Sequence, residues 1–326
     1  MIDVLLARRR IAPYIRRTPL VPSPWLSELS GGRISLKLES LQVSNSFKAR
    51  GAFNAVMARL ERPGGAPSGL VTASAGNHGR ALATAARTFN LPLVVFTPAD
   101  APKTKLDAIR RDGADLRAEG RDYDEAERMA KAYAKQPGAD FISPYSDTDV
   151  IAGAATVASE MFEDEPGLDT VVVPIGGGGL ISGIATVAKA ITRRCDVVGV
   201  EVDASNAFQQ SVSAGRLVEI VPGATLADGL GGNPDAETMT FALIQRLVDR
   251  IVTVSESDLA AAIVGLVDAE HLIAEGAGAA AAAALVGARI DVRDRQVGVI
   301  VSGGNIDRAR LASLLTRSVE SDSRRA

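Results

Sequence analysis

Apolar and polar positions follow two periods along most of the chain. Ile34, Leu36 and Leu38 alternate with Ser35, Lys37 and Glu39, the period-two pattern of a half-buried strand. Ala49, Ala52, Phe53, Val56, Met57 and Leu60 then recur at helical spacing. Short, largely apolar runs at 70–73, 93–96, 171–175, 197–200 and 297–301 read as strands buried on both faces of a parallel sheet. Helical stretches at 78–88, 103–111, 122–135 and 150–163 lie between them. This alternation predicts βαβ units, hence an α/β fold with open, largely parallel twisted sheets flanked by helices. Loops at 62–68 and around 143–148 bracket a compact stretch of about three βα units. We therefore expect two domains: a large one from 1–68 and 147–326, and a small inserted α/β domain at 69–146.

Composition narrows the chemistry. The 326 residues hold 36 Lys+Arg against 39 Asp+Glu, a net charge of −3, which gives no drive toward phosphate backbones and argues against a nucleic-acid partner. With 46% hydrophobic and 23% charged residues the chain has the balance of a folded enzyme rather than a disordered segment. The single cysteine, Cys195, removes any internal disulfide framework and any cysteine-rich zinc site. His78 and His271 are the only histidines, too few for a histidine metal site or a Ser-His triad. The most apolar stretch, 276–288, is mostly Ala and Gly and falls short of the ~20 residues a membrane span needs. The arginines at 8, 9, 10, 16 and 17 form a solvated face without the apolar core of a signal peptide, so a cytoplasmic location is expected.

Four clusters sit where a strand pattern gives way to a helix pattern. In the first, the run ending at Pro174-Ile175 meets Gly176, Gly177, Gly178 and Gly179, and a helix pattern opens at Leu180. A plain turn rarely needs more than one or two glycines. Four let several N–H groups converge on an anion at the positive end of a helix, which points to a phosphate cradle. The dinucleotide signature fails, because its third glycine would fall at Ile181. The nucleotide-triphosphate loop fails too, because Ile184 follows Gly183 where a lysine is required. A phosphate without those signatures suggests another phosphorylated cofactor.

The second cluster is Ser44-Asn45-Ser46-Phe47-Lys48-Ala49-Arg50-Gly51-Ala52. Lysines are mostly solvated, but Lys48 stands between Phe47 and small residues at a helix start. The positive potential there favours a neutral amine, the form that makes Schiff bases. The third cluster, Ser74-Ala75-Gly76-Asn77-His78-Gly79, reads equally as a helix-capping turn or as an anion loop for a substrate carboxylate. The fourth, Ser302-Gly303-Gly304-Asn305, closes the last strand and on its own could be a capped turn. Together they obey the rule that open α/β sheets bind ligands beyond the carboxyl ends of their strands.

In order and wording these clusters resemble the fold type II pyridoxal-phosphate enzymes, a fold like the tryptophan synthase β chain, and within them the threonine/serine dehydratases and serine racemase. The likeness runs from Arg17-Thr18-Pro19-Leu20 to Asp307. It implies pyridoxal 5′-phosphate as cofactor, bound to Lys48 as a Schiff base with Phe47 beside the ring. It further implies that Gly176, Gly177, Gly178, Gly179 and the Leu180 backbone hold the phosphate, Asn77 meets the ring 3′-oxygen and Ser302 faces the ring nitrogen. Ser74, Ala75, Gly76 and His78 would line the substrate-carboxylate loop. The implied activity is an ammonia-lyase that turns L-threonine or L-serine into a 2-oxo acid and ammonia.

Departures from the family wording bear on the substrate rather than the cofactor. Ser44-Asn45 replace a common Thr-Gly, Ala154-Ala155-Thr156 follow Gly153 in place of Gln-Gly-Thr, and Tyr145 stands where Asn or Phe is common. These keep open a dehydratase for threo-3-hydroxyaspartate or a hydroxyectoine-pathway substrate. Serine racemisation is an alternative that Ala75 disfavours, because racemases carry a serine there to serve the opposite face of Cα. A non-catalytic cofactor-binding protein is the reading from a different class. The family's accessory cation is expected to be absent, since Glu201 matches its first carboxylate but the turn from Asp203 to Gln209 lacks the second. The chain stops soon after the last cluster, so no regulatory domain and a degradative role are expected. Relatives suggest a dimer or tetramer of identical chains.

Overall fold

The structure is a computed structural model describing residues 3–63 and 65–323. Among these residues lie ten strands: β1 Leu20–Pro22, β2 Arg33–Leu38, β3 Gly69–Ala73, β4 Leu93–Pro98, β5 Asp115–Gly120, β6 Ala139–Phe141, β7 Thr170–Pro174, β8 Asp196–Val202, β9 Arg250–Val254 and β10 Gln296–Val301. They form two sheets. The six-stranded sheet has the order β1-β2-β10-β7-β8-β9 and is parallel except for β1, which pairs antiparallel with β2. The four-stranded sheet, β5-β4-β3-β6, is parallel throughout and uses strands from Gly69 to Phe141. The 62–68 loop enters it; its Gly64 lies outside the described residues.

The continuous apolar runs have a direct cause. In β7, Val172 packs into one core with Leu36, Val198, Val299 and the Gly276–Val286 helix, while Val171 and Val173 pack into another with Val157, Ile181 and Ile184. A strand covered on both faces has no polar side to show. The same holds in β3, where Leu70 joins one cluster and Val71 and Ala73 another. The Ala-rich Gly276–Val286 helix is buried along its length, as the poverty of large side chains allows. Among the described residues no helix is long and apolar enough to cross a membrane.

Small residues bring three helices into backbone contact, and this positions the site. A Cβ on Gly153, in Thr148–Asp164, would lie 2.3 Å from the Arg50 carbonyl oxygen of Lys48–Leu60. A Cβ on Gly183, in Gly179–Ile191, would lie 2.7 Å from the Ile151 oxygen. Glycine at both crossings lets the Thr148–Asp164 helix press against the other two. Just beyond its N-terminal end, Pro144 and Tyr145 meet Lys48 and the glycine bend.

Candidate active site

Ser46 bridges to Gly303 and the Phe47 N–H donates to the Ser302 carbonyl (3.0 Å), so the start of the Lys48–Leu60 helix is pinned to the end of β10. Lys48 follows as the first helical residue. Its Nζ donates to the Pro144 carbonyl at 2.6 Å and stands 5.1 Å from the centre of the Phe47 ring. Among the described residues no carboxylate pairs with it, and burial lowers its pKa to about 8 from the ordinary 10.5. An amine in that setting is neutral far more often than a surface lysine.

Facing Pro144 and Tyr145 is the glycine bend. Gly178 has φ +84°, in the left-handed region that favours glycine. The other glycines are required by crowding: a Cβ at Gly177 would sit 2.2 Å from the Tyr145 ring, and one at Gly176 2.9 Å from the Gly229 oxygen. Thr240 Oγ1 ties the bend down by donating to the Gly177 carbonyl (2.9 Å). Among the described residues the N–H groups of Gly177, Gly178, Gly179 and Leu180 have no protein acceptor. A bare row of donors at a helix N-terminus is an anion site.

Asn77 opens the Asn77–Thr88 helix. Its Nδ2 donates to Glu275 Oε1 (2.5 Å) and its Oδ1 accepts from Asn305 Nδ2 (2.7 Å). Glu275 caps the Gly276–Val286 helix; burial raises its carboxyl pKa to about 7, against the Asn77 hydrogen bond. Ser302 is buried, its Oγ donating to the Ala277 carbonyl (3.2 Å). Ser74, Ala75 and Gly76 form a half-buried bend after β3, joined to the cluster through Asn77. His78 lies deeper, 2% exposed in the body of its helix. Burial, then the Lys48 charge, hold its imidazole well below the ordinary 6.5. Among the described residues neither ring nitrogen makes a well-formed hydrogen bond, although the Ile142 carbonyl, which accepts from Thr72 Oγ1 (2.8 Å), lies close enough to offset part of that shift. Ser46 Oγ and Ser182 Oγ are also buried and have no partner among the described residues.

Lys48, Phe47, Asn77, Gly176 to Gly179, Leu180 and Ser302 thus gather at the carboxyl ends of β3, β7 and β10. Sequence reasoning did not pick out Glu275, Thr240 or the contact of Tyr145 with Gly177. Only Glu275 left a signal, a lone carboxylate at the head of an otherwise apolar helix. Thr240 left none.

The description "pyridoxal-phosphate dependent enzyme" belongs to the family that matches residues 11–303. The chain belongs to that family. The L-threonine ammonia-lyase of Thermotoga maritima is 39% identical over 307 residues, covering 94% of this chain and 75% of the relative. Maize serine racemase superposes with a TM-score of 0.87 at 30% identity, covering 98% of each chain. The processed form of threonine deaminase isoform 2 from Solanum lycopersicum gives 0.85 at 32% identity, covering 95% of this chain and 92% of the other. Pyridoxal phosphate, the cofactor of this family, carries an aldehyde, a polar ring and a phosphate. A depressed-pKa amine, a row of free N–H groups and buried hydroxyls without partners fit those three parts.

Proposed function

We propose that this pyridoxal-phosphate dependent enzyme is an ammonia-lyase that removes the β-hydroxyl and amino groups of a hydroxy amino acid, L-threonine or L-serine, to give a 2-oxo acid and ammonia. Lys48 holds the cofactor, Phe47 packs beside its ring, and Gly176, Gly177, Gly178, Gly179 and Leu180 hold its phosphate. Asn77 faces the ring oxygen and Ser302 the ring nitrogen. When bound, the cofactor supplies the electron sink for charge developing at Cα.

The chain's own groups do the rest. The Ser74, Ala75 and Gly76 bend binds the substrate carboxylate, with His78 behind it as a neutral wall. Lys48 Nζ, directed by the Pro144 carbonyl, takes the Cα proton as a general base. Ser302 offers the ring nitrogen a neutral hydroxyl, which stabilises charge less than a carboxylate would. That favours prompt loss of the β-hydroxyl over a persistent charge at Cα. The observation carrying this reading is the pairing of a buried neutral-leaning amine with a bare N–H row, joined through Pro144 and Tyr145.

The test is 2-oxo acid release from L-threonine, L-serine and threo-3-hydroxyaspartate, with the bound cofactor followed by absorbance. Turnover of threonine or serine is expected to dominate. A coloured protein that releases no oxo acid from any of the three sinks the lyase reading, and turnover of hydroxyaspartate alone reassigns the substrate. Racemisation needs a proton donor on the far face of Cα, where Ala75 has none. Chiral analysis of L-serine incubations should therefore show D-serine far slower than pyruvate. The same proposal has the enzyme working in the cytoplasm as a dimer or tetramer, with 69–146 as a small unit inserted between 1–68 and 147–326. Light scattering and limited proteolysis check these points.

A further inference from the structure

Four side chains run in series from the edge of the site inward: Arg80, Asn305, Asn77 and Glu275. The two ends of this series are chemically one-sided. A guanidinium has donors only, and Glu275, although burial raises its pKa to about 7, is an acceptor in the ionised form that takes the Asn77 N–H. The two amides between them could each be turned either way, so their orientation is set by what flanks them.

Asn305 is determined twice over. Its Oδ1 accepts from Arg80 Nη1 and, at 3.4 Å, from Asn45 Nδ2. Its Nδ2 donates to the Ser44 carbonyl (2.9 Å) and to Asn77 Oδ1 (2.7 Å). All four hydrogen-bonding positions of that amide are filled, and a flip would set its NH₂ against a guanidinium and its oxygen against a carbonyl. The left-handed turn at Ser44 (φ 61°) and Asn45 (φ 56°) presents both of the loop groups involved. With Asn305 fixed, Asn77 must accept through Oδ1 and point its NH₂ inward. One of the two N–H groups is spent on Glu275. The other makes no hydrogen bond among the described residues.

We propose that Arg80 and Asn305 are positioning residues that fix which end of the Asn77 amide faces the cofactor ring, keeping a donor there. The inference rests on the assignment of Asn77 to the ring oxygen made above. Neither residue touches the reacting atoms. They act through Asn77, by deciding whether the ring oxygen meets an N–H or a carbonyl.

Asn305→Asp is the sharpest test. Aspartate keeps the shape and still accepts from Arg80, but its second oxygen can only accept. Asn77 then turns its NH₂ outward and its Oδ1 toward the ring and toward Glu275, which takes up a proton to donate to it. The expected result is a shifted absorption band for the bound cofactor and a kcat at least ~10-fold lower, with KM within about 2-fold. A single cooperative melt, lowered by the lost Ser44 contact, and a wild-type borohydride-reduced adduct at Lys48 should remain, separating a turned amide from a lost fold or a lost cofactor. Arg80→Met should lower kcat less, by about 3-fold to 10-fold, and Arg80→Lys, which again has donors only, should restore the wild-type band. A wild-type band and kcat in Asn305→Asp, or equal behaviour of Arg80→Met and Arg80→Lys, overturns the proposal. If Asn305→Asp does not fold, the Arg80 pair decides alone. Failure of the parent reading shows separately, as a wild-type protein without a Lys48 adduct.

Discussion

Lys48 and Arg50 stand two positions apart in one helical turn, Lys48 half-buried and Arg50 fully buried, in opposite settings. Arg50 is wholly enclosed and saturated: it donates to Glu39 Oε1 and Oε2 (2.8 Å each), to both oxygens of Glu160 (2.7 and 2.8 Å) and to Thr156 Oγ1 (3.1 Å). Lys37, also enclosed, completes the cluster through Glu160 (2.6 Å), giving two basic groups against two acidic ones. Burial opposes ionisation of Glu160, yet Arg50 and Lys37 hold its carboxyl below the ordinary range. Lys48 has one carbonyl, and beside it Ser46 and His78 keep buried polar atoms without partners among the described residues. Each such atom costs about 1–3 kcal/mol. A buried polar group that is fully paired specifies structure. A neighbouring set left unpaired at that cost marks the place where a ligand brings the missing partners.

Removing either basic residue should therefore fail in a different currency. Lys48→Ala is expected to lower kcat by about 10⁴-fold or more and to abolish the borohydride adduct, because the base and the point of attachment go together. Its resistance to urea should stay at or above that of the wild-type apoprotein, since a poorly solvated amine has been deleted. A Lys48→Ala protein that still turns over substrate at a tenth of the native rate would end the assignment.

Arg50→Met inverts that outcome. It strands Glu39 and Glu160 in the interior with only Lys37 to balance them, and breaking a buried ion pair from one side costs about 3–5 kcal/mol. Urea denaturation should show a loss of that order. In the fraction that remains folded, the Lys48 adduct should still form. A loss below about 1 kcal/mol would mean that water reaches this cluster and that the contrast is one of degree.

The pH response separates the two residues at smaller cost. Lys48 has a folded pKa of about 8, below the ordinary 10.5, so the neutral amine appears as pH rises through about 8. Capture of pyridoxal phosphate by apoprotein, followed by stopped-flow absorbance, should accelerate about tenfold per pH unit below 8 and level off above. The linked stability has the same sign: with its folded value depressed, Lys48 favours the folded apoprotein at high pH, and that contribution is lost as pH falls through about 8. Arg50 remains charged across the whole range and adds no inflection. A capture rate that keeps climbing to pH 10 would place Lys48 in water.

The contrast was only half legible in the sequence. Lys48 and the four glycines announce themselves because local wording carries their chemistry: a lysine among small residues, and more glycine than a turn requires. Strands β7 and β10 were readable because burial on both faces removes polar residues. Strand β5, Asp-Leu-Arg-Ala-Glu-Gly, was not: its residues alternate, but as an edge strand it carries three charged residues and only one large apolar side chain, Leu116, too little to mark a strand. β1 and β6, three residues each, are too short to show a period, and β9 is the opposite edge. Partnerships were the illegible part. Asn77 meets Glu275 across 198 positions and Thr240 meets Gly177 across 63, and no local pattern encodes which distant side chain the fold delivers. The Arg50 cluster was hidden for the same reason, spread over β2, the turn after it and two helices.

Glu201 supplies the weakest and most delicate comparison, because it is a buried carboxylate that resembles Lys48 in its surroundings and Arg50 in its pairing. Burial pushes its carboxyl up to about 7, but both oxygens are already used, accepting from the Phe208 N–H (2.9 Å) and the Gln209 N–H (2.7 Å) at the start of the Ala207–Ala214 helix. A cation arriving here would have to break two backbone hydrogen bonds inside the protein. The nearby carboxylate, Asp203, is exposed at the surface. By the rule drawn from Arg50 a saturated group is structural, so EDTA should leave the rate of 2-oxo acid release unchanged and added Mg²⁺ should not raise the melting temperature. Loss of activity in EDTA with recovery by Mg²⁺ would show that a paired carboxylate can still be recruited, and would break the rule at its most exposed point.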